Sequence, residues 1–343
     1  MKQFFLYLLL LHSVNILPQG RSGFQALLTT ENDFLGIHNK DENYTGAVKF
    51  ELLTPEIKWK WLPFYKFKNE SPVFNIQRFG FGGTAYTPQD IAASEIVKGD
   101  RPYASLLFVS VGNISYDRSR GLILQSDLVV GSIGSPGPGN AQAYVHRNHW
   151  FGSERPEPEG WDNQIGFNGS LIVNYNTRMQ GLITPQQSFS NFQCVVPYWT
   201  AKADIGNYMI NLQGGFKLDL FNYNSSILQD YAVSFPALTE NRETPKKNIR
   251  FNFFVEPSFR IAAYNATLEG LLFNDRSVYT ISHQDVNRLL FEVNGGINFI
   301  AGDFFYAKYS FYGRSQEYRG GKSFHTWGGI TIGFSPSKWY TKR

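Results

Sequence analysis

The side chains that could do chemistry fall in two places. Asn32-Asp33 and Thr45 lie near the start of the chain, and Gln142, His146, His149, Glu154, Glu157 and Glu159 crowd the stretch SPGPGNAQAYVHRNHWFGSERPEPEGWDNQ. A histidine set among amides and carboxylates is a composition from which proton transfer can be assembled. Each residue alone also has a plain reading: a loop histidine is usually solvated, an Asn-Asp pair is usually a turn, and His149 reads as structural or solvated. Other reactive patterns are missing. The sequence has no G-x-S-x-G elbow and no H-E-x-x-H, and the glycines of GPGN do not read as a phosphate-binding loop between a strand and a helix.

Alternation of apolar and polar residues supplies the frame that must position these groups, because successive side chains on a strand point to opposite faces. In Tyr208–Leu220 one face reads Tyr208, Ile210, Leu212, Phe216, Leu218 and Leu220, and the other Asn211, Gln213, Lys217 and Asp219. Ile249–Ala263, Arg288–Phe299 and Phe167–Asn176 repeat the pattern. Counting such runs predicts twelve strands, near 25–34, 43–54, 72–87, 102–117, 119–135, 164–179, 187–201, 206–221, 248–264, 286–300, 302–316 and 322–334. Many exceed the ~5–6 residues of ordinary soluble strands. An even number of long strands with aromatic ends is the pattern of an outer-membrane β-barrel, here an all-β, twelve-stranded antiparallel barrel with long extracellular loops. A secreted β-sandwich also alternates; strand length and aromatic content favour the barrel. Pro257 inside a strand and the tail SPSKWYTKR after Phe334 count against it. Adjacent first and second strands bring Asn32, Asp33 and Thr45 together. If the apolar side meets lipid, Thr45 points into the lumen or its rim. Three stretches between strands are long: Pro55–Ser71, Pro136–Asp162 and Asn222–Lys247.

Composition agrees. With 343 residues, 42% hydrophobic and 17% charged, the chain carries enough apolar surface to exclude a disordered protein. The 30 Phe, 19 Tyr and 7 Trp beside 32 Gly favour strands. A net charge of +4, scattered without basic blocks, leaves no footprint for nucleic acid. The single Cys194 makes no internal disulfide and reads as a small buried hydrophobe. Lys2 precedes an apolar run from Phe4 to Leu11, too short to span a bilayer, which reads as a signal peptide over residues 1–22 cleaved near Gly20 to Gly23. Residues 23–343 are then one exported barrel domain.

Several ordered motifs carry a resemblance. They are END-F (Glu31 to Phe34), D-E-x-Y-T-G (Asp41 to Gly46), Y-T-P-x-D-I (Tyr86 to Ile91), K-G-D-R-P-Y-A (Lys98 to Ala104), Q-x-x-x-H-R (Gln142 to Arg147), G-W-D-N-Q (Gly160 to Gln164) and N-A-T-L-E-G (Asn265 to Gly270). Over nearly all of the mature chain the sequence resembles the outer-membrane lipid A 3′-O-deacylase family.

The resemblance implies a calcium-dependent esterase that removes an acyl chain from lipid A near the outer leaflet. By motif, His146 is implied as the general base, Asn32 as an oxyanion-hole donor, Asp33 as a calcium ligand and Thr45 as a neighbouring polar contact; Gln142 reads, apart from the resemblance, as a group that could orient His146. A neutral imidazole takes a proton from water near neutral pH, and attack on an ester builds charge that an amide and a hard cation stabilise. Calcium prefers oxygen ligands, and a loop glutamate would join Asp33; Glu154 fits better than Glu157, although the stretch is longer than the family pattern. Lys98 does not supply the lysine that the family places after the third strand. Asp100-Arg101 reads as a paired charge anchoring loop to barrel, and Tyr44, Tyr103 and Trp161 as packing or interface residues. The expected partners are lipopolysaccharide and the outer-membrane bilayer, for a monomer. The alternatives are an inactive barrel acting as a passive channel or structural protein, and a phospholipase on the same fold.

Overall fold

A computed structural model describes residues 24–36, 43–55, 74–117, 120–149, 156–183, 192–223, 249–273, 277–302 and 305–335. The proposed signal peptide, Glu154 and the last eight residues lie outside them.

All twelve expected strands form: β1 (Gln25–Asn32), β2 (Asn43–Pro55), β3 (Phe74–Thr87), β4 (Ala104–Asp117), β5 (Leu122–Ile133), β6 (Ser170–Leu182), β7 (Phe192–Gly206), β8 (Met209–Tyr223), β9 (Ile249–Asn265), β10 (Leu289–Ala301), β11 (Phe305–Ser315) and β12 (Phe324–Phe334). Each pairs antiparallel with its sequence neighbour, and β1 pairs with β12 from Ala26↔Phe334 to Asn32↔Gly328, closing the barrel. Closure leaves no edge of unpaired backbone groups facing lipid, where each would cost several kcal/mol. Pro257 sits inside β9 opposite Val293, at a place where the ladder to β8 skips from Gly215↔Ser258 to Leu218↔Val255. The missing N–H therefore falls where that pairing is interrupted.

Side chains divide by parity as the sequence pattern requires. Val48, Phe50, Phe81, Val109, Leu212, Phe216, Phe259, Ile261 and Leu289 are exposed on the outer wall. The opposite parity fills the lumen. Near the rim where β1 begins and β12 ends, Leu27, Leu53, Ile76, Ile123, Tyr198, Ile300 and Tyr306 pack as one cluster. Mid-lumen, ion pairs bridge strands: Arg78 meets Glu51 and Asp127, Glu256 meets Arg178 and Lys202, and Glu292 meets Arg260 and Arg314. They surround a cavity of about 370 Å³.

The other rim carries a cap of interlocked connections. Arg101, whose side chain is fully buried, pairs with Glu317 at 2.6 Å and donates to Thr267 Oγ1 at 2.6 Å, and its guanidinium lies 4.5 Å from the Tyr86 ring centre. Tyr318 donates its hydroxyl hydrogen to Asp100 and accepts from the Arg101 N–H. The expected anchoring by Asp100-Arg101 is present: the Arg101 N–H donates to Asp100 Oδ1 at 2.7 Å, while the two side chains reach across the barrel mouth, Arg101 to Glu317 and Asp100 to Tyr318. Strand direction puts the Pro136–Asp162 stretch on this rim, whereas the strands bracketing 56–73 and 224–248 end on the opposite one. The first of these stretches is not all loop: residues Pro136–Arg147 form a helix, α1.

Arg101→Met removes one member of a buried, hydrogen-bonded ion pair and is expected to cost about 3–5 kcal/mol, read as a lowered unfolding temperature in detergent, with part recovered by adding Glu317→Gln. Burial alone would raise the Glu317 carboxyl, but Arg101 and Arg314 outweigh it and hold it at about 2, below its ordinary 4.5. A depressed carboxylate stabilises fully above its unfolded value and loses that contribution as pH falls through the folded one. Amide exchange in the cap is therefore expected to be steady from neutral pH to about 4.5 and, after correction for intrinsic rates, to accelerate toward pH 2.

Candidate active site

The first half of the site is a turn at the end of β1. Asn32 shares the parity of lipid-facing Leu28, while its neighbour Glu31 points inward and accepts a hydrogen bond from Tyr44 at 2.8 Å. Asn32 caps a short 3-10 turn, Asp33–Leu35: its Oδ1 accepts from the Phe34 N–H at 2.9 Å. Asparagine does this readily because its side chain mimics a backbone acceptor two residues back. With Oδ1 so used, the Nδ2 donors are turned over Gly46, the Cα partner of Asn32. The Asp33 residue is fully buried beneath the turn.

Thr45 corrects the simple alternation. Tyr44 pairs with Tyr86 and Gly46 with Ala85, so Thr45 is the extra residue of a β-bulge. The bulge shifts the phase by one. Tyr44 faces the lumen, where its ring meets Tyr86 at 5.3 Å and Trp327 at 5.2 Å. Thr45 instead lies on the outer wall, its Oγ1 2.7 Å from Oγ1 of Thr87, which has the parity of lipid-facing Phe81. The expected lumenal placement is thus overturned: Thr45 stands on the outer wall, next to Gly46, the partner of Asn32.

The second half is α1. Pro136 at its first position needs no backbone donor, and the Ala-Gln-Ala-Tyr-Val run continues the helix despite two glycines. Near its start Pro138 leans on the outer wall at Gly83, so the helix stands outside the barrel against β3 and β4. Gln142 and His146, four residues apart, share one helix face. His146 is 5% exposed, and its Nδ1 lies 2.8 Å from the Pro156 carbonyl oxygen. A carbonyl only accepts, so Nδ1 carries the hydrogen and Nε2 is the basic nitrogen of the neutral ring. The ring is oriented by Pro156 and not, as expected, by Gln142, whose amide atoms are buried and make no hydrogen bond among the described residues.

Beside them Glu157 pairs with Arg147. Its hydrogen bond from Arg147 holds the Glu157 carboxyl below its ordinary range, and the neighbouring His146 acts in the same sense. His149 and Trp161 are not drawn into the arrangement as reactive groups: His149 is exposed, and Trp161 packs on Gly139 of α1 and on Tyr103 at 4.7 Å.

Two participants were absent from the sequence reading. Thr87 carried a signal, since it stands within the Tyr86-Thr87-Pro88 motif; the Pro156 carbonyl, a backbone group, carried none. For a metal, the described residues contain no cluster of three or more His, Cys, Asp or Glu. The donors beside the turn are the Asp33 carboxylate and backbone carbonyls, a hard-oxygen set that fits an ion of the calcium type and not zinc.

A closed, even-stranded barrel with an apolar outer wall and a polar, filled lumen is an integral outer-membrane protein. The chain belongs to the family described as outer membrane protein LpxR, whose sequence profile matches residues 4–335. No curated protein matches it. Among solved structures it resembles LpxR from Salmonella typhimurium, with 18% identity, a TM-score of 0.67 and coverage of 90% of this chain and 99% of that one. The β domain of the Bordetella autotransporter BrkA follows at 10% identity and a TM-score of 0.46, covering 92% of this chain and 98% of that one.

Gly46 leaves the space that the Asn32 amide occupies: a Cβ there would lie 2.7 Å from the Glu31 carbonyl oxygen and 3.2 Å from Asn32 Nδ2. Gly46→Ala is expected to cost about 1–3 kcal/mol by overpacking in a denaturant titration, while Ala47→Gly next to it costs no more than about 1 kcal/mol.

Proposed function

We propose that the protein is an outer-membrane esterase that hydrolyses the 3′-linked acyl or acyloxyacyl chain of lipid A. The observation that carries the reading is the side of the wall on which the groups stand. Asn32, Thr45 and the helix bearing His146 lie outside the barrel, on the surface that an acyl ester in the outer leaflet reaches.

In this reading the Nε2 of His146 takes a proton from water as the water oxygen adds to the ester carbonyl carbon. The Pro156 carbonyl fixes the tautomer and stabilises the imidazolium that results. The negative charge on the former carbonyl oxygen is met by the Asn32 amide, already oriented by its bond to Phe34 and therefore needing no reorganisation. Collapse of the tetrahedral adduct breaks the ester C–O bond, and the departing sugar oxygen recovers the proton from His146. Asp33, with Glu154, would hold a calcium ion, which when bound supplies further positive charge beside the oxyanion. Glu157 is the less suitable partner because its carboxylate is engaged by Arg147. Gln142, on the same helix face as His146 and with its amide atoms buried, would bind substrate or the attacking water. The apolar cluster at one rim and the Arg101 cap at the other support an enzyme over a passive channel.

Lipid A from cells making the protein is expected to lose the mass of one acyl or acyloxyacyl chain in mass spectrometry. His146→Ala should slow this by at least ~10²-fold and Asn32→Ala by ~10²–10³-fold, in proteins that still reach the outer membrane, and chelation of calcium should abolish it. Unchanged lipid A with folded protein sinks the reading; fatty acid released from glycerophospholipid instead would assign a phospholipase.

A further inference from the structure

The turn that carries Asn32 and Asp33 is not held by its own strand pair alone. It folds back over the outer face of β12, where Gly328, the partner of Asn32 on that side, has no side chain and lets the Leu35 backbone rest on the wall; a Cβ at Gly328 would run into the Leu35 carbonyl. Gly36 closes the turn by donating to the Asp33 carbonyl oxygen at 2.9 Å. One side chain then reaches across from β11: the hydroxyl of Tyr309 donates to the Leu35 carbonyl oxygen at 2.9 Å. Tyr309 is 39% exposed on the lipid-facing parity, so its ring lies along the wall with its polar end at the turn. A tyrosine in lipid needs a partner for its hydroxyl, and here the partner is the last carbonyl of the turn.

We propose that Tyr309 is a positioning residue for the candidate site, a brace from β11 that holds the Asn32–Leu35 turn in register against β12 so that the Asn32 amide keeps its direction. The role rests on the deacylase reading given above. Tyr309 touches neither His146 nor the reacting atoms in this scheme; it acts through Leu35.

Tyr309→Phe keeps the ring and removes only the donor, so the barrel is expected to form, shown by an unchanged heat-modified band on a gel. Hydrogen exchange at the Phe34 and Gly36 amides, both bonded within the turn, should quicken roughly fivefold, as expected for one lost hydrogen bond. On lipid A in mixed micelles kcat should fall about tenfold with KM within about twofold, because misdirecting a donor weakens the transition state and not binding. Gly328→Ala should shift both readouts in the same direction. Unchanged exchange at those two amides, or quicker exchange with kcat unaltered, overturns the brace. A wild-type protein that releases no acyl chain overturns the deacylase reading instead, and the exchange measurement then decides by itself whether Tyr309 holds the turn.

Discussion

Everything in this molecule depends on one constraint: in hydrocarbon no backbone N–H or C=O is left to water, so the sheet must close on itself. Closure fixes twelve strands in an unbroken antiparallel ring and sets β1 against β12. It also fixes the two faces, because a one-residue slip in any strand would turn its phenylalanines inward and its arginines to lipid. Ion pairs such as Arg78 with Asp127 and Arg260 with Glu292 reinforce that choice, since these residues meet their partners only in the correct phase.

The candidate site arises where this regularity is relaxed. A single extra residue at Thr45 brings a threonine to the outer wall while leaving Tyr44 in the lumen. An asparagine cap turns β1 out of the sheet, and a helix built into a long connection stands against the same wall. None of these departures opens the ladder, so the barrel keeps its seal while its exterior acquires polar groups at fixed positions. The lumen, by contrast, is filled by apolar, charged and capping layers in turn.

The strands were readable in the sequence because period-two alternation is local: Leu212, Phe216, Gln213 and Lys217 declare their faces within a few residues. The candidate site residues were legible only as motifs around Asn32, Thr45 and His146. Their placement was not. Thr45 was assigned to the wrong face because parity counting assumes an unbroken ladder, and a bulge has no composition of its own in D-E-N-Y-T-G. The helix under His146 was hidden by the prolines and glycines of SPGPGN, whose intrinsic preference is overridden by packing on β3 and Trp161. The partner of Arg101 is 216 residues away, beyond any local signal, and the Pro156 carbonyl is a backbone group that no residue type announces.

The seam between β1 and β12 also orders events in time. The Asn32 turn leans on Gly328 and is held by Tyr309, 274 residues after Leu35, so its supports come from the final two strands of the barrel in chain order. An exported but unclosed chain possesses every residue of the site and none of its geometry. Catalytic competence on this scaffold would thus begin only with completed insertion, which keeps a lipid-cleaving surface unassembled while the chain is still in transit.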